Sequence, residues 1–130
     1  MILVDTSAWI EYLRATGSPV CERVDRLLSG SLATCDPVRM EILAGARDDA
    51  HLADLRGLLA RASEIEVGPA DYDRAAAIYR TCRRRGATVR SLVDCLIASL
   101  ALREDLELLH ADADYEAIAR CTALRLSEPA

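Results

Sequence analysis

Short apolar runs alternate with longer stretches of helical period along this chain. Ile2-Leu3-Val4 reads as a strand. Residues 6–15 read as a helix, with Ile10 and Leu13 on a shared face. Ser18-Pro19 opens a second helix that runs to about Leu28, since proline suits a first helical turn. Residues 32–35 read as a strand. Asp36-Pro37 caps a helix running to about Arg47. Residues 49–62 are helical, with Leu52, Leu55, Leu58 and Leu59 spaced for one face. Residues 64–67 read as a strand. Residues 70–85 form a helix ending at Gly86, a suitable C-terminal stop. Residues 91–104 form a helix apolar nearly all round. Residues 107–109 are a strand, 112–121 a helix and 124–126 a last strand.

Five short strands separated by helices imply a parallel sheet covered on both faces. Ligands of such sheets bind beyond the carboxyl ends of the strands. No repeat, low-complexity tract or linker interrupts the pattern, so residues 1–130 are expected to form one domain.

Four carboxylates stand where fold-building alone would not place them. Asp5 ends the first strand run. Glu41 has Pro37, Val38, Ala44 and Gly45 as its helical-wheel neighbours, while Arg39 and Arg47 lie on other faces. Asp94 is the only charge between Ser91 and Leu102, with the small Ala98 and Ala101 on its own face. Asp112 follows the run ending Leu108-Leu109. Each has a plainer role available. Asp5 and Asp112 suit helix N-caps. Asp94 with Ser91 fits a capping box, although Glu or Gln serves better there. Glu41 suits a solvated surface. Against the plain role for Asp94 stands the cost of burying an unpaired carboxylate. Asp114 is a fifth candidate. Thr6 and Ser7 are candidates to fix Asp5 by hydrogen bonds, as ligating carboxylates require. Trp9 reads as core, and the lone His110 as a surface or capping residue.

Brought together, these acids make an oxygen-rich cage for Mg²⁺ or Mn²⁺, a set of ligands suited to phosphodiester hydrolysis. Crowded carboxylates raise one another's pKa until cations arrive. The cation activates and aligns water and stabilises the leaving oxygen, so the products carry 5′-phosphate and 3′-hydroxyl ends.

Charge and composition narrow the reading further. A hydrophobic share of 52% excludes disorder. The five cysteines include no C-x-x-C pair, which argues against zinc and against a disulfide framework. Free thiols in a reducing cytosol are expected. No apolar stretch approaches the ~18 residues of a membrane span. Net charge is −5, so any attraction for nucleic acid is local. All 16 basic residues are Arg, and Arg80, Arg83, Arg84, Arg85 and Arg90 form an acid-free cluster. That cluster suits RNA phosphates, and equally suits a solvated helix end. With no Phe, one Trp and four Tyr, recognition by stacked bases is limited.

Other acid-pocket folds fit less well. A receiver domain pairs its Asp cluster with Lys, which is absent. A haloacid-dehalogenase-type phosphatase needs a second Asp two residues after the first, where this chain has Ser7. There is no phosphate-binding glycine loop and no nucleophile elbow.

The residues Val4-Asp5-Thr6-Ser7-Ala8-Trp9, Glu41 to Arg47, Gly86 with Val93 to Ala98, and Ala111-Asp112-Ala113-Asp114-Tyr115 occur in the order of one known family. Over nearly its whole length the chain resembles a VapC-type PIN-domain toxin. The resemblance implies an α/β/α sandwich with a parallel sheet of about five short strands. It implies a Mg²⁺- or Mn²⁺-dependent endoribonuclease in the bacterial cytoplasm. Metal-site and catalytic roles fall to Asp5, Glu41, Asp94 and Asp112, with Asp114 auxiliary. It further implies a cognate VapB-like antitoxin, a homodimer or toxin–antitoxin hetero-oligomer, and DNA contact only through the antitoxin. The family often has Phe where this chain has Tyr115, and Thr or Ser where it has His110. Competing readings are a non-catalytic PIN scaffold that binds RNA or protein, and a DNA or structure-specific nuclease. Retention of all four acids disfavours the scaffold.

Overall fold

The computed structural model describes residues 1–129. It is an α/β/α sandwich on a four-stranded sheet in which every strand pairing is parallel. The strands are β1 (Ile2–Val4), β2 (Leu32–Cys35), β3 (Ser63–Ile65) and β4 (Glu107–Leu109). The helices are α1 (Thr6–Leu13), α2 (Pro19–Leu28), α3 (Asp36–Ala44), α4 (Asp49–Leu59), α5 (Pro69–Arg84), α6 (Leu92–Arg103) and α7 (Ala113–Cys121).

The sheet order is β3-β2-β1-β4. The chain therefore steps outward from β1 through β2 to β3, then returns to lay β4 on the other side of β1. That reversal makes the β1/β4 boundary the topological switch point, and the crevice beyond their carboxyl ends is where such a sheet binds ligands. The Asp5 N–H donates to the Leu109 carbonyl at 3.0 Å, which carries the β1–β4 pairing up to the edge of this crevice.

Burial explains the strands. Leu3, Val4, Ala33, Cys35, Leu108 and Leu109 are fully buried, as expected for strands covered by helices on both faces. Around them α1 packs on α2 and α3, α3 on α4, and α5, α6 and α7 on one another. Helix α6 is buried from Asp94 through Ala101, which accounts for its lack of a polar stripe. Trp9 is fully buried and meets Tyr12 edge-on, a core role.

Several boundaries differ from the sequence reading. The segment 124–126 is not a fifth strand. It touches the sheet through one parallel bridge between Leu126 and Leu108, in which the Leu108 N–H donates to the Arg125 carbonyl at 3.0 Å and the Ser127 N–H to the Leu108 carbonyl at 2.8 Å. The third strand begins at Ser63 rather than residue 64 and ends at Ile65, because Gly68 and Pro69 already start α5. Helix α1 stops at Leu13, and Ala15 takes a left-handed φ of 50°. Asp36 does not cap α3. It lies in the first turn, and Cys35 occupies the cap position without a side-chain bond. Gly86 does follow the end of α5, with φ of 74°, a region that glycine enters without penalty. No helix among the described residues is long and apolar enough to cross a membrane.

Candidate active site

Three helices begin at the switch-point crevice, and each brings an acid. Asp5 is the N-cap of α1, Asp112 is the N-cap of α7, and Asp94 lies in the first turn of α6 behind its cap Ser91. Helix N-termini carry partial positive charge, so each helix start favours its carboxylate by about 0.3–1 kcal/mol. That offsets part of the repulsion of clustered acids. Asp5 and Asp112 thus cap their helices while standing at the crevice.

Asp5 is almost completely buried, and both of its oxygens are held. Oδ2 accepts from the Ser7 backbone N–H at 2.9 Å and from the Ser7 hydroxyl at 2.6 Å. Oδ1 accepts from the Tyr115 hydroxyl at 2.6 Å. The same Ser7 oxygen accepts from the Ala111 N–H at 2.9 Å, so it ties the loop after β4 to the loop after β1.

Asp94, Asp112 and Asp114 each offer a carboxylate oxygen within 4.8 Å of the others. Asp94 Oδ1 lies 3.3 Å from the Tyr115 hydroxyl, while its Oδ2 is buried with no hydrogen-bond partner among the described residues. Burial pushes the Asp94 carboxyl up to about 8, with further contributions from the charges of Asp5, Asp112 and Asp114. An all-oxygen set with one orphaned buried acceptor fits a hard divalent cation, which would give that oxygen the partner it lacks.

Asp114 has a second task. Its Oδ2 accepts from the backbone N–H groups of Arg90 at 2.9 Å and Ser91 at 3.2 Å. It therefore pins the turn that launches α6. The Asp112 N–H donates to His110 Nδ1 at 3.0 Å, so His110 steadies the loop as well as facing Glu116 at 3.5 Å.

Glu41 stands apart from the three-acid group. It is exposed, and its Oε1 accepts from the Thr6 hydroxyl at 2.8 Å. Of the two hydroxyls expected beside Asp5, Ser7 bonds to it and Thr6 bonds to Glu41 instead. Adjacent residues at the start of α1 thereby orient two different acids.

The arginine cluster divides. Arg80, Arg83 and Arg84 line a shallow cleft on α5 and none of the four acids, and Arg83 covers the Tyr79 ring at 5.8 Å. Arg85 occupies the C-cap of α5. Arg90 lines a cavity of about 580 Å³ together with Asp112, Asp114 and Arg120. Arg120 was not singled out in the sequence, because it lies 30 residues from Arg90 and is an ordinary last-turn cation of α7. A larger cavity, about 790 Å³, is lined by Met1, Glu64, Arg103 and Leu106 and by none of the site acids. It lies toward the amino ends of β1 and β4, away from the crevice. Beside it, the buried Asp71 accepts from Arg74, Arg103 and the Gly68 N–H, a closed network that fixes α5 to α6.

The five cysteines are free, and three of them are buried. Burial raises the thiols of Cys35 and Cys95 to about 12, which keeps them protonated and unreactive.

Comparison with known proteins gives concordant results. The PIN domain family model matches residues 2–120. Ribonuclease VapC11 of Mycobacterium tuberculosis is 50% identical over 129 residues, covering 96% of each chain. Among solved structures, VapBC2 from Rickettsia felis bound to a promoter DNA fragment superposes with a TM-score of 0.78 at 18% identity, covering 98% of both chains. DNA-bound VapBC from Salmonella typhimurium gives 0.78 at 20% identity over 100% of both.

Proposed function

Because the chain belongs to the PIN-domain family, as a VapC-type toxin, we infer that it is a divalent-metal-dependent endoribonuclease whose 130 residues work as one unit. The observation that carries this reading is the unpartnered Asp94 Oδ2 inside a group of three mutually close carboxylates. The 50% identity to a curated ribonuclease supports RNA as the substrate.

Asp94, Asp112 and Asp114, together with Asp5 across the Tyr115 hydroxyl, would hold the cation, Mg²⁺ or Mn²⁺, with Glu41 completing the acidic rim. When bound, the cation supplies Lewis acidity toward the phosphodiester and acidifies the attacking water. The protein's own groups do the rest. Ser7 and Tyr115 fix Asp5. Thr6 fixes Glu41. Asp114 fixes the start of α6 and so the height of Asp94. Arg90 and Arg120 flank the acids and meet the phosphates on either side of the scissile bond, where a guanidinium binds bidentately. Since water rather than the ribose 2′-hydroxyl attacks phosphorus, the products carry 5′-phosphate and 3′-hydroxyl ends.

The partner is a cognate VapB-like antitoxin in a bacterial cytoplasm, and the toxin works within a homodimer or a toxin–antitoxin hetero-oligomer. A pocket of clustered carboxylates on a chain of net charge −5 is blocked most directly by an inserted Arg. DNA contact belongs to the antitoxin.

The test is cleavage of total RNA by the purified protein with Mg²⁺ or Mn²⁺ and with EDTA, followed by end-mapping. Cleavage should stop in EDTA and leave 5′-phosphate ends. Undiminished cleavage in EDTA, or mainly 2′,3′-cyclic phosphate ends, would overturn the mechanism.

A further inference from the structure

Tyr115 is fully buried, and its hydroxyl reaches two of the four acids. It lies 2.6 Å from Asp5 Oδ1 and 3.3 Å from Asp94 Oδ1. A phenol has one proton to donate. The short distance gives that proton to Asp5, and the longer one leaves the hydroxyl oxygen as a spacer between the carboxylates. The two acids come from elements with no other direct bond at this point: Asp5 from the end of β1, Asp94 from α6. Tyr115 belongs to a third element, α7. A phenylalanine ring would fill the same core volume as the Tyr115 ring. Packing alone therefore does not account for the hydroxyl.

The other hydrogen bonds of the site reinforce this. Ser7 holds only Oδ2 of Asp5, which fixes one end of the carboxylate. Without a donor at Oδ1, the group would be free to rotate about that end. It would also face Asp94 Oδ1 across a low-dielectric gap with no dipole between them, and the pair would splay. Hydrogen bonds of this kind orient ligating groups, and their removal typically costs about 10- to 100-fold in metal affinity or activity.

We propose that the Tyr115 hydroxyl is a positioning group of the active site, clamping Asp5 against Asp94 so that the arriving cation meets the two carboxylates at a fixed separation. This rests on the metal-dependent reading above. Because the side chain is buried, Tyr115 does not touch RNA.

The experiment compares the full-length wild-type protein with Tyr115→Phe, which removes the hydroxyl and keeps the ring. Mn²⁺ binding is measured by calorimetry without RNA, and kcat and KM are measured with RNA. The variant should bind Mn²⁺ about tenfold more weakly or worse, and kcat should fall while KM is unchanged. Equal Mn²⁺ affinity in the two proteins would overturn the proposal and leave the metal-dependent reading intact. Absence of Mn²⁺ binding by the wild type would overturn both. Should Tyr115→Phe fail to fold, Mg²⁺ titration of the wild type decides. The near-ultraviolet tyrosine band must shift as the ion engages the acids beside the phenol, and an unmoved band would overturn the clamp.

Discussion

Asp114 Oδ2 accepts the backbone N–H of Ser91 at 3.2 Å, and so takes the donor that Asp94 would need to close a capping box. The Ser91 hydroxyl accepts from the Asp94 N–H at 3.3 Å, as a cap should. The reciprocal bond is not formed. Asp94 instead directs its carboxylate toward Tyr115 and the other acids, leaving one oxygen unpartnered. The helix start is thus stabilised by a residue from α7, and Asp94 is released from that duty.

Replacing Asp94 with Asn should therefore abolish cleavage without unfolding the protein. Asn keeps the shape and matches the neutral carboxyl that Asp94 presents in the metal-free fold below about pH 8, so the metal-free form should melt at the same temperature or higher. Mg²⁺ should raise the melting temperature of the wild type more than that of the variant, because a ligand stabilises in proportion to its occupancy. Melting in EDTA and in Mg²⁺, beside a cleavage assay, checks this. A loss of folding in EDTA would restore the capping role to Asp94.

Stability without metal should fall as pH rises. The Asp94 carboxyl has an ordinary value of 3.8 and sits at about 8 in the folded protein. Between these values the unfolded chain has released its proton and the folded chain has kept it, so each increment of pH favours unfolding. The contribution is fully present below the lower value and is lost as pH passes the upper one. Urea unfolding in EDTA between about pH 5 and pH 8 should show the wild type losing more stability than Asp94→Asn. A difference that does not change with pH would remove Asp94 as the titrating group.

Ser7→Ala should impair activity more than stability. The hydroxyl donates to Asp5 and accepts from the Ala111 N–H at an exposed position, so its loss should cost about 1 kcal/mol of folding free energy. Asp5 would lose one of its two donors at Oδ2, and cleavage should drop about 10- to 100-fold. Thr6→Ala should act through Glu41 instead, so the two losses should be separable by metal titration. Unchanged cleavage in Ser7→Ala would mean that Asp5 needs no orientation from this side.

RNA affinity should depend on Arg90 and Arg120 more than on the arginines of α5. Arg90→Ala and Arg120→Ala should each raise KM for RNA and lower the slope of log affinity against log salt by about 0.7, the value for one phosphate contact on a single strand. The triple replacement of Arg80, Arg83 and Arg84 should leave that slope nearly unchanged, since these side chains line a separate cleft. The reverse result would put the RNA path along α5.

The sequence by itself determined the parallel α/β architecture and most of its elements, because apolar runs of three or four residues between helical stretches can be buried in few other ways. It also marked Asp5, Asp94 and Asp112. Asp94 is the only charge in an apolar helix, and the other two end strand runs at the β1/β4 edge. It could not show that 124–126 makes a single bridge, because three apolar residues look alike whether they pair along a strand or only touch it. Nor could it separate Thr6 from Ser7. Both are hydroxyls at a helix start, and successive residues there point in different directions. Only the tertiary structure decided which acids meet: Asp94 with Asp112 and Asp114, Asp5 across the Tyr115 hydroxyl, and Glu41 exposed behind Thr6. It also set Arg90 in one cavity with Asp112 and Asp114 and left Arg80, Arg83 and Arg84 in a separate cleft. The reason is physical: a carboxylate's neighbours across the sheet are set by strand order and helix docking over separations of 21 to 110 residues, and local periodicity carries no information at that range.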